Sequence, residues 1–295
     1  MNYKTAKGYL FAVLSAMIYG CMPLMAKHIY ADGVTPLMLV FLRNAFSLLP
    51  LAVFAYAEKK TLKIPLKILP AIGILSLLGC CITPMLLFIS YRFIPSGTAT
   101  VFHFIYPAVV VISEILFLKN KAQAGNVISV ILCVVGISLF YSPDEPLNLA
   151  GSALALLSGI TFACYVILLA HFDNRSASGF LLCFYVTVVS SIAALIICIV
   201  TDNLVLPSTA RGWGLCVLFS LLVTTGAVAL FQHSAFLIGS EHTSILSTLE
   251  PITGVIIGVI AFGEPLGVRT VIGPVLVVAA SLLIAFFDLQ KAKTP

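Results

Sequence analysis

The chain is 295 residues long with a net charge of +5; 61% of it is hydrophobic, only 9% is charged, and its mean hydropathy is +1.14. A soluble domain carries about 25% charged residues, so the composition excludes one. It predicts an all-α integral membrane protein, because apolar runs of about 20 residues match a hydrocarbon core about 30 Å thick, and lipid tolerates no open sheet edge.

Lys4 and Lys7 precede the first apolar run, which has no evident small-residue cleavage site after it and reads as an uncleaved first span. Breaks at charged, Pro-rich or Gly-rich punctuation then predict ten transmembrane helices: 7–28, 35–57, 68–91, 96–118, 123–142, 149–171, 179–201, 212–238, 240–262 and 267–287. The loops are short, the longest being EKKTLKIPLK after span 2, so no soluble domain fits between spans. The eight cysteines (Cys21, Cys80, Cys81, Cys133, Cys164, Cys183, Cys198 and Cys216) all fall inside apolar runs. With no CxxC or Cys/His ligand spacing, they read as small buried hydrophobes.

Lys and Arg in alternate loops set the expected orientation. With the N-terminus in the cytoplasm, the inner side collects 11 of the 16 basic residues: Lys4, Lys7, Lys59, Lys60, Lys63, Lys67, Lys119, Lys121, Arg175, Lys291 and Lys293. The outer side collects four, Lys27, Arg92, Arg211 and Arg269, while Arg43 lies within span 2. Both termini are therefore expected in the cytoplasm. The positive balance reads as membrane topology, with the lipid bilayer and not nucleic acid as partner.

The chain repeats itself. SGTATVFHFIYPAVVVI, Ser96 to Ile112, reappears 144 residues later as SEHTSILSTLEPITGVI, Ser240 to Ile256, with Ser96/Ser240, Pro107/Pro251, Val111/Val255 and Ile112/Ile256 identical. Each copy is an apolar helix interrupted by proline, which frees a backbone carbonyl and kinks the helix. Span 1 aligns on span 6 at an offset of 143 through Gly8/Gly151, Ala12/Ala155, Leu14/Leu157, Ser15/Ser158, Cys21/Cys164 and His28/His171. Both carry a small residue every fourth position, Gly8, Ala12, Ala16 and Gly20 in one and Gly151, Ala155, Gly159 and Ala163 in the other, a ridge that lets membrane helices approach closely. Span 3 aligns on span 8 through Ser76/Ser220, Leu77/Leu221, Leu78/Leu222 and Ser90/Ser234, and span 5 on span 10 through Val127/Val271, Ile128/Ile272, Leu132/Leu276 and Val134/Val278.

Two copies of five spans, 1–145 and 146–295, enter the membrane in opposite orientations because five is odd. The expected architecture is therefore two inverted five-helix repeats. That construction recurs in secondary transporters, with the substrate site near the midplane and access alternating as the halves rock.

The A-F-L-I-G-S turn at Ala235 to Ser240, followed by TSILSTLEP and FGEPL, together with ten short-looped spans, two five-span repeats and Arg43 in span 2, resembles the EamA family of the drug/metabolite transporter superfamily. The resemblance covers nearly the whole chain. It implies a protein of the bacterial cytoplasmic membrane that exports an amino acid, a derivative or another small metabolite without ATP. The implied cavity is lined by spans 1, 3, 4, 6, 8 and 9. One departure stands out: the first repeat has FLKNKAQ at Phe117 to Gln123 where the second has a glutamate in FGEPLG.

Ionisable groups at membrane depth are costly and mark candidate sites. Glu250, just before Pro251, is placed to bind a proton or the cationic group of a substrate. Tyr106 stands at the matching position before Pro107, and the two prolines are a candidate shared hinge. His103 lies one turn before Tyr106, so the two share a helix face. Gln232 and His233 are adjacent and cannot face the same way; Gln232 is favoured as the ligand, with His233 toward the cytoplasmic edge or a neighbouring helix. Tyr19, Tyr165, Thr83 and Phe88 complete the expected substrate-binding wall. Arg43, about two turns into span 2, reads as an interfacial anchor or structural ion pair. Glu114 is expected to pair with Lys119, and Glu264 to cap span 10 or pair with Arg269.

No GxxxxGK[ST] loop is present, which argues against an ATP-driven pump, and no HExxH or GxSxG, which argues against the commonest membrane hydrolases. The expected function is a secondary transporter for a small-molecule substrate, with a coupling proton or other ion as a possible partner and no cofactor. Two other readings are a lipid or lipid-linked sugar translocator and a membrane-embedded enzyme using His103 and Glu250 as acid and base.

Overall fold

A computed structural model describes residues 3–59, 62–117, 148–172, 179–247 and 249–262, with isolated positions at 128, 131, 132, 135, 272, 275, 276, 278 and 279. Most of the expected spans 5 and 10 lies outside the described residues. So do Lys119, Glu264 and Arg269, the FGEPLG turn after Phe262, the turn after Phe117, and the side chain of Glu114.

Among the described residues every regular element is helical. Six segments are long and apolar enough to cross a membrane: Thr5–Ala31, Pro36–Glu58, Leu66–Ser90, Leu149–Leu169, Phe180–Val200 and Ala210–Ile238. They match the expected spans 1, 2, 3, 6, 7 and 8. The α-helices in chain order are α1 (Tyr3–Ala31), α2 (Pro36–Lys59), α3 (Leu69–Leu75), α4 (Thr83–Ser90), α5 (Ser96–His103), α6 (Tyr106–Phe117), α7 (Leu149–Ala170), α8 (Phe180–Val200), α9 (Ala210–Phe219), α10 (Val228–Leu246) and α11 (Leu249–Phe262), of which α5, α6 and α11 lie outside the six segments and belong to the expected spans 4 and 9.

Spans 4 and 9 are absent from the six because proline divides each of them. Pro107 is the second residue of α6, and Pro251 the third of α11. A proline ring collides with the carbonyl four residues back, here those of His103 and Ser247, and the first turn is where a helix tolerates it. The chain accordingly leaves the helix after His103 and after Leu246 and restarts within three residues.

Spans 3 and 8 are continuous but widened. A π segment, Ser76–Ile82, joins α3 to α4, and a second, Ser220–Ala227, joins α9 to α10. They begin at repeat-equivalent serines. A π turn leaves carbonyls badly aligned for their own helix, and each first carbonyl is met from the other half of the chain. Ser190 Oγ of α8 donates to Ser76 O at 2.9 Å. Ser47 Oγ of α2 lies 3.0 Å from Ser220 O, sharing its proton with Arg43 O at 2.9 Å, and Ser220 Oγ donates to Arg43 O.

The small-residue ridges are also completed across halves. A Cβ at Gly8 would lie 2.5 Å from Ile238 and 3.1 Å from Leu237; one at Gly151 would lie 2.6 Å from Phe93 and 3.0 Å from Ile94. Adding the repeat offset to Phe93 and Ile94 gives Leu237 and Ile238, so the two contacts are one contact made twice. Deeper along the ridges, Gly20 abuts Thr253 and the Glu250 carbonyl on α11, and Gly159 abuts the His103 carbonyl and Ile105.

Helix α10 differs from the expected boundary at 238–240, since helical backbone runs on to Leu246. Ser234 Oγ nevertheless lies 2.8 Å from Thr243 Oγ1. Nine residues of straight helix rise about 13.5 Å, so the backbone must depart from a straight helix between them. Outside the spans, Asp32 accepts from the Ser208 and Thr209 amides at 3.0 and 3.2 Å just before α9, whose N-cap is Thr209, and Glu58 accepts from the Phe180 amide at 2.9 Å at the start of α8.

Candidate functional site

The two helix breaks and the first π segment open onto one cavity. Tyr19 and Met22 of α1, Arg43 of α2, Gly79 and Cys80 of the π segment, Thr83, Pro84 and Leu87 of α4 and His103 of α5 come from the first half. Phe162 and Tyr165 of α7, Val228 and Phe231 of α10 and Glu250 of α11 come from the second. Its space, opening included, is about 580 Å³.

Glu250 reaches this wall because the break before α11 puts it in that helix's first turn. First-turn amides have no intrahelical acceptor and favour negative charge. The residue is 9% exposed and lines the cavity together with residues of the first half.

His103, the last residue of α5, is fixed through Ser158. The Ser158 hydroxyl donates to Ala155 O at 2.6 Å, which consumes its only proton, so in the 2.8 Å contact between His103 Nδ1 and Ser158 Oγ the imidazole must donate. A neutral His103 therefore carries its proton on Nδ1 and turns the Nε2 lone pair outward. Thr83 is held similarly: Thr161 Oγ1 donates to Ser158 O at 3.0 Å, so the Thr83 hydroxyl donates to Thr161 at 2.7 Å.

Of the residues expected from the sequence, Glu250, His103, Tyr19, Tyr165 and Thr83 line the cavity, while Tyr106, Phe88 and Gln232 stand behind it. Tyr106 packs edge-on against Phe162 at 4.9 Å and lies 6.0 Å from the His103 ring. Phe88 stacks at right angles to Phe219, 5.9 Å away. Gln232 accepts from Cys183 Sγ at 2.9 Å and donates to the Tyr165 hydroxyl at 3.1 Å, so it orients a wall residue from the second layer. That Tyr165 ring crosses Gly79, where a Cβ would overlap it. His233 points elsewhere: Nδ1 donates to Ala229 O at 2.8 Å and Nε2 lies 3.9 Å from Glu58 Oε1.

The model of the EamA-like transporter family matches the chain twice, over residues 6–142 and 149–286. The chain belongs to that family. Its relatives include an uncharacterized transporter of Clostridium kluyveri, 24% identical over 294 residues and matched over 94% of this chain and 92% of that one. The uncharacterized inner membrane transporter YicL of Salmonella typhimurium is 22% identical over 304 residues, covering 98% and 99% of the two chains. One solved crystal structure, 14% identical, superposes with a TM-score of 0.68 over 97% of this chain and 98% of that one, a likeness of fold. The protein is thus a multi-pass membrane transporter acting on a small molecule across a lipid bilayer.

Within this EamA-like fold, Arg43 is the site residue that sequence reasoning placed elsewhere. It is 3% exposed and lines the cavity, with no carboxylate within 4.0 Å among the described residues, instead of anchoring at the interface. Helical phase held the signal: Ser47, one turn on, also faces inward to Ser220. Cys164 differs as well, being exposed on α7 and not buried.

Proposed function

We propose that the protein is a secondary carrier that exports a small polar or amphipathic metabolite, such as an amino acid or a derivative, by alternating access and without ATP. Ten spans form two inverted repeats, 1–145 and 146–295, in a bacterial inner membrane with both termini in the cytoplasm. Glu250, His103, Tyr19, Tyr165 and Thr83 contact the solute; Tyr106, Phe88 and Gln232 support that wall; Pro107 and Pro251 are the hinges. A proton or another ion couples through Glu250.

The observation that carries this reading is a single cavity with ionisable groups on both halves, set beside two proline breaks, together with the Gly8–Ile238 and Gly151–Ile94 ridge contacts that repeat when the halves are exchanged. A wall divided in this way opens to one side or the other as the halves rock. The test is solute movement into ATP-free proteoliposomes, comparing wild type with Glu250→Gln. The carrier reading expects uptake by wild type and a loss of about tenfold or more in the variant, the scale of one charged hydrogen bond. Normal transport by Glu250→Gln at every pH would remove Glu250 from the mechanism.

A further inference from the structure

The cavity contains a cation that the coupling scheme leaves unused. Arg43 offers five N–H donors in a planar fork, yet among the described residues Nη2 alone reaches a protein acceptor, the Cys80 carbonyl at 3.4 Å, and Nε has none. Asn44 Nδ2 already serves that carbonyl at 3.2 Å. The Phe88 ring lies 5.8 Å from Cζ and supports the flat group from one face.

We propose that Arg43 is the anion anchor of the transported solute: a carboxylate docks on the free edge of its guanidinium from inside the cavity. This rests on the carrier reading above. An uncompensated guanidinium at membrane depth is costly, and breaking such a pair is costlier than leaving a surface one unmade. A carboxylate matches the fork with two parallel hydrogen bonds. Glu250, on the same wall but on the other half, limits the solute further. Arg43 and an ionised Glu250 together are neutral, so a dianion such as a phosphate monoester would leave two negative charges unmet. A single carboxylate with a cationic hydrogen-bond donor, such as an ammonium group, elsewhere on the molecule meets both. Such a solute joins α2 of the first half to α11 of the second.

The test uses the full-length protein with a panel of free amino acids, their carboxamides and their deaminated acids, read by thermal shift in detergent and by counterflow in proteoliposomes. The expected result is that carboxylate-bearing probes bind and move while the matched carboxamides do not. Arg43→Gln should weaken the best carboxylate probe by about 10- to 100-fold, pulling the acid-over-amide ratio toward one, and Arg43→Lys should keep part of that ratio. Should the glutamine variant fail to fold, the ratio in wild type and in Arg43→Lys still decides. Carboxamides handled as well as acids by wild type, or an unchanged ratio in Arg43→Gln, overturns the anchor and leaves the carrier standing. Movement of no probe of any class removes the carrier reading, and the anchor with it.

Discussion

Ser47 and Ser190 are counterparts 143 residues apart, and each reaches the first carbonyl of a π segment in the half to which it does not belong. All four serines of these two joints, Ser47, Ser76, Ser190 and Ser220, are fully buried, so no water replaces a lost partner. Removing either hydroxyl leaves a buried carbonyl short of a donor. Ser47→Ala and Ser190→Ala should each cost about 1 to 2 kcal/mol, seen as lowered thermal unfolding temperatures in detergent. The losses should add in the double variant, because the two joints share no atoms.

The ridge glycines lead to a second expectation. A methyl at Gly159 would overlap the His103 carbonyl, which is backbone and cannot swing aside. Gly159→Ala should therefore destabilise by about 1 to 3 kcal/mol through overpacking, despite alanine's better helix propensity. Gly73→Ala is the control, since nothing lies within 4 Å of its Cβ. A Gly159→Ala protein as stable as Gly73→Ala would mean that α7 and α5 do not meet there.

Ser158 sets the imidazole of His103, which nitrogen-15 NMR of labelled histidine reads directly. Wild type should show the proton on Nδ1, as the Ser158 geometry demands. Ser158→Ala should release that preference and lower transport, while His171, whose Nδ1 bonds to the Ile167 carbonyl at 2.9 Å, keeps its signal.

Asp32 should hold its charge to lower pH than an ordinary aspartate. Its carboxyl titrates below its ordinary value of 3.8, chiefly because the Thr209 hydroxyl donates to it, with the Ser208 and Thr209 amides adding to the effect. A depressed folded value means the stabilisation is complete above the unfolded value and is lost as pH falls through the folded one. Asp32→Asn should lower the unfolding temperature at pH 7, and the gap from wild type should close as pH is taken below 3.8.

Six of the spans, the proline breaks and the small-residue ridges were legible because each leaves a mark in residue type: apolar length, an imino acid, a glycine or alanine every fourth position. Glu250 stood out because a carboxylate in such a run is costly. What escaped was helical phase. In an apolar run nearly every face is hydrophobic, so periodicity does not tell inward from outward, and Arg43 was placed by depth alone. The same uniformity hid the π segments at Ser76 and Ser220, which shift the phase of everything after them. Tyr106, Phe88 and Gln232 were found as polar or aromatic positions near the wall, but a second layer and a first look alike until the packing is seen.

The exchanged ridge contacts bear on how the protein is made. Gly8 and Gly20 find their partners on helices synthesised more than 200 residues later, and Gly151 and Gly159 on helices already in place. The first half therefore waits in the bilayer with an open seam until the second arrives to close both. In that sense the chain is a tethered pair, and its two halves produced as separate polypeptides should be able to find each other and restore one transporter.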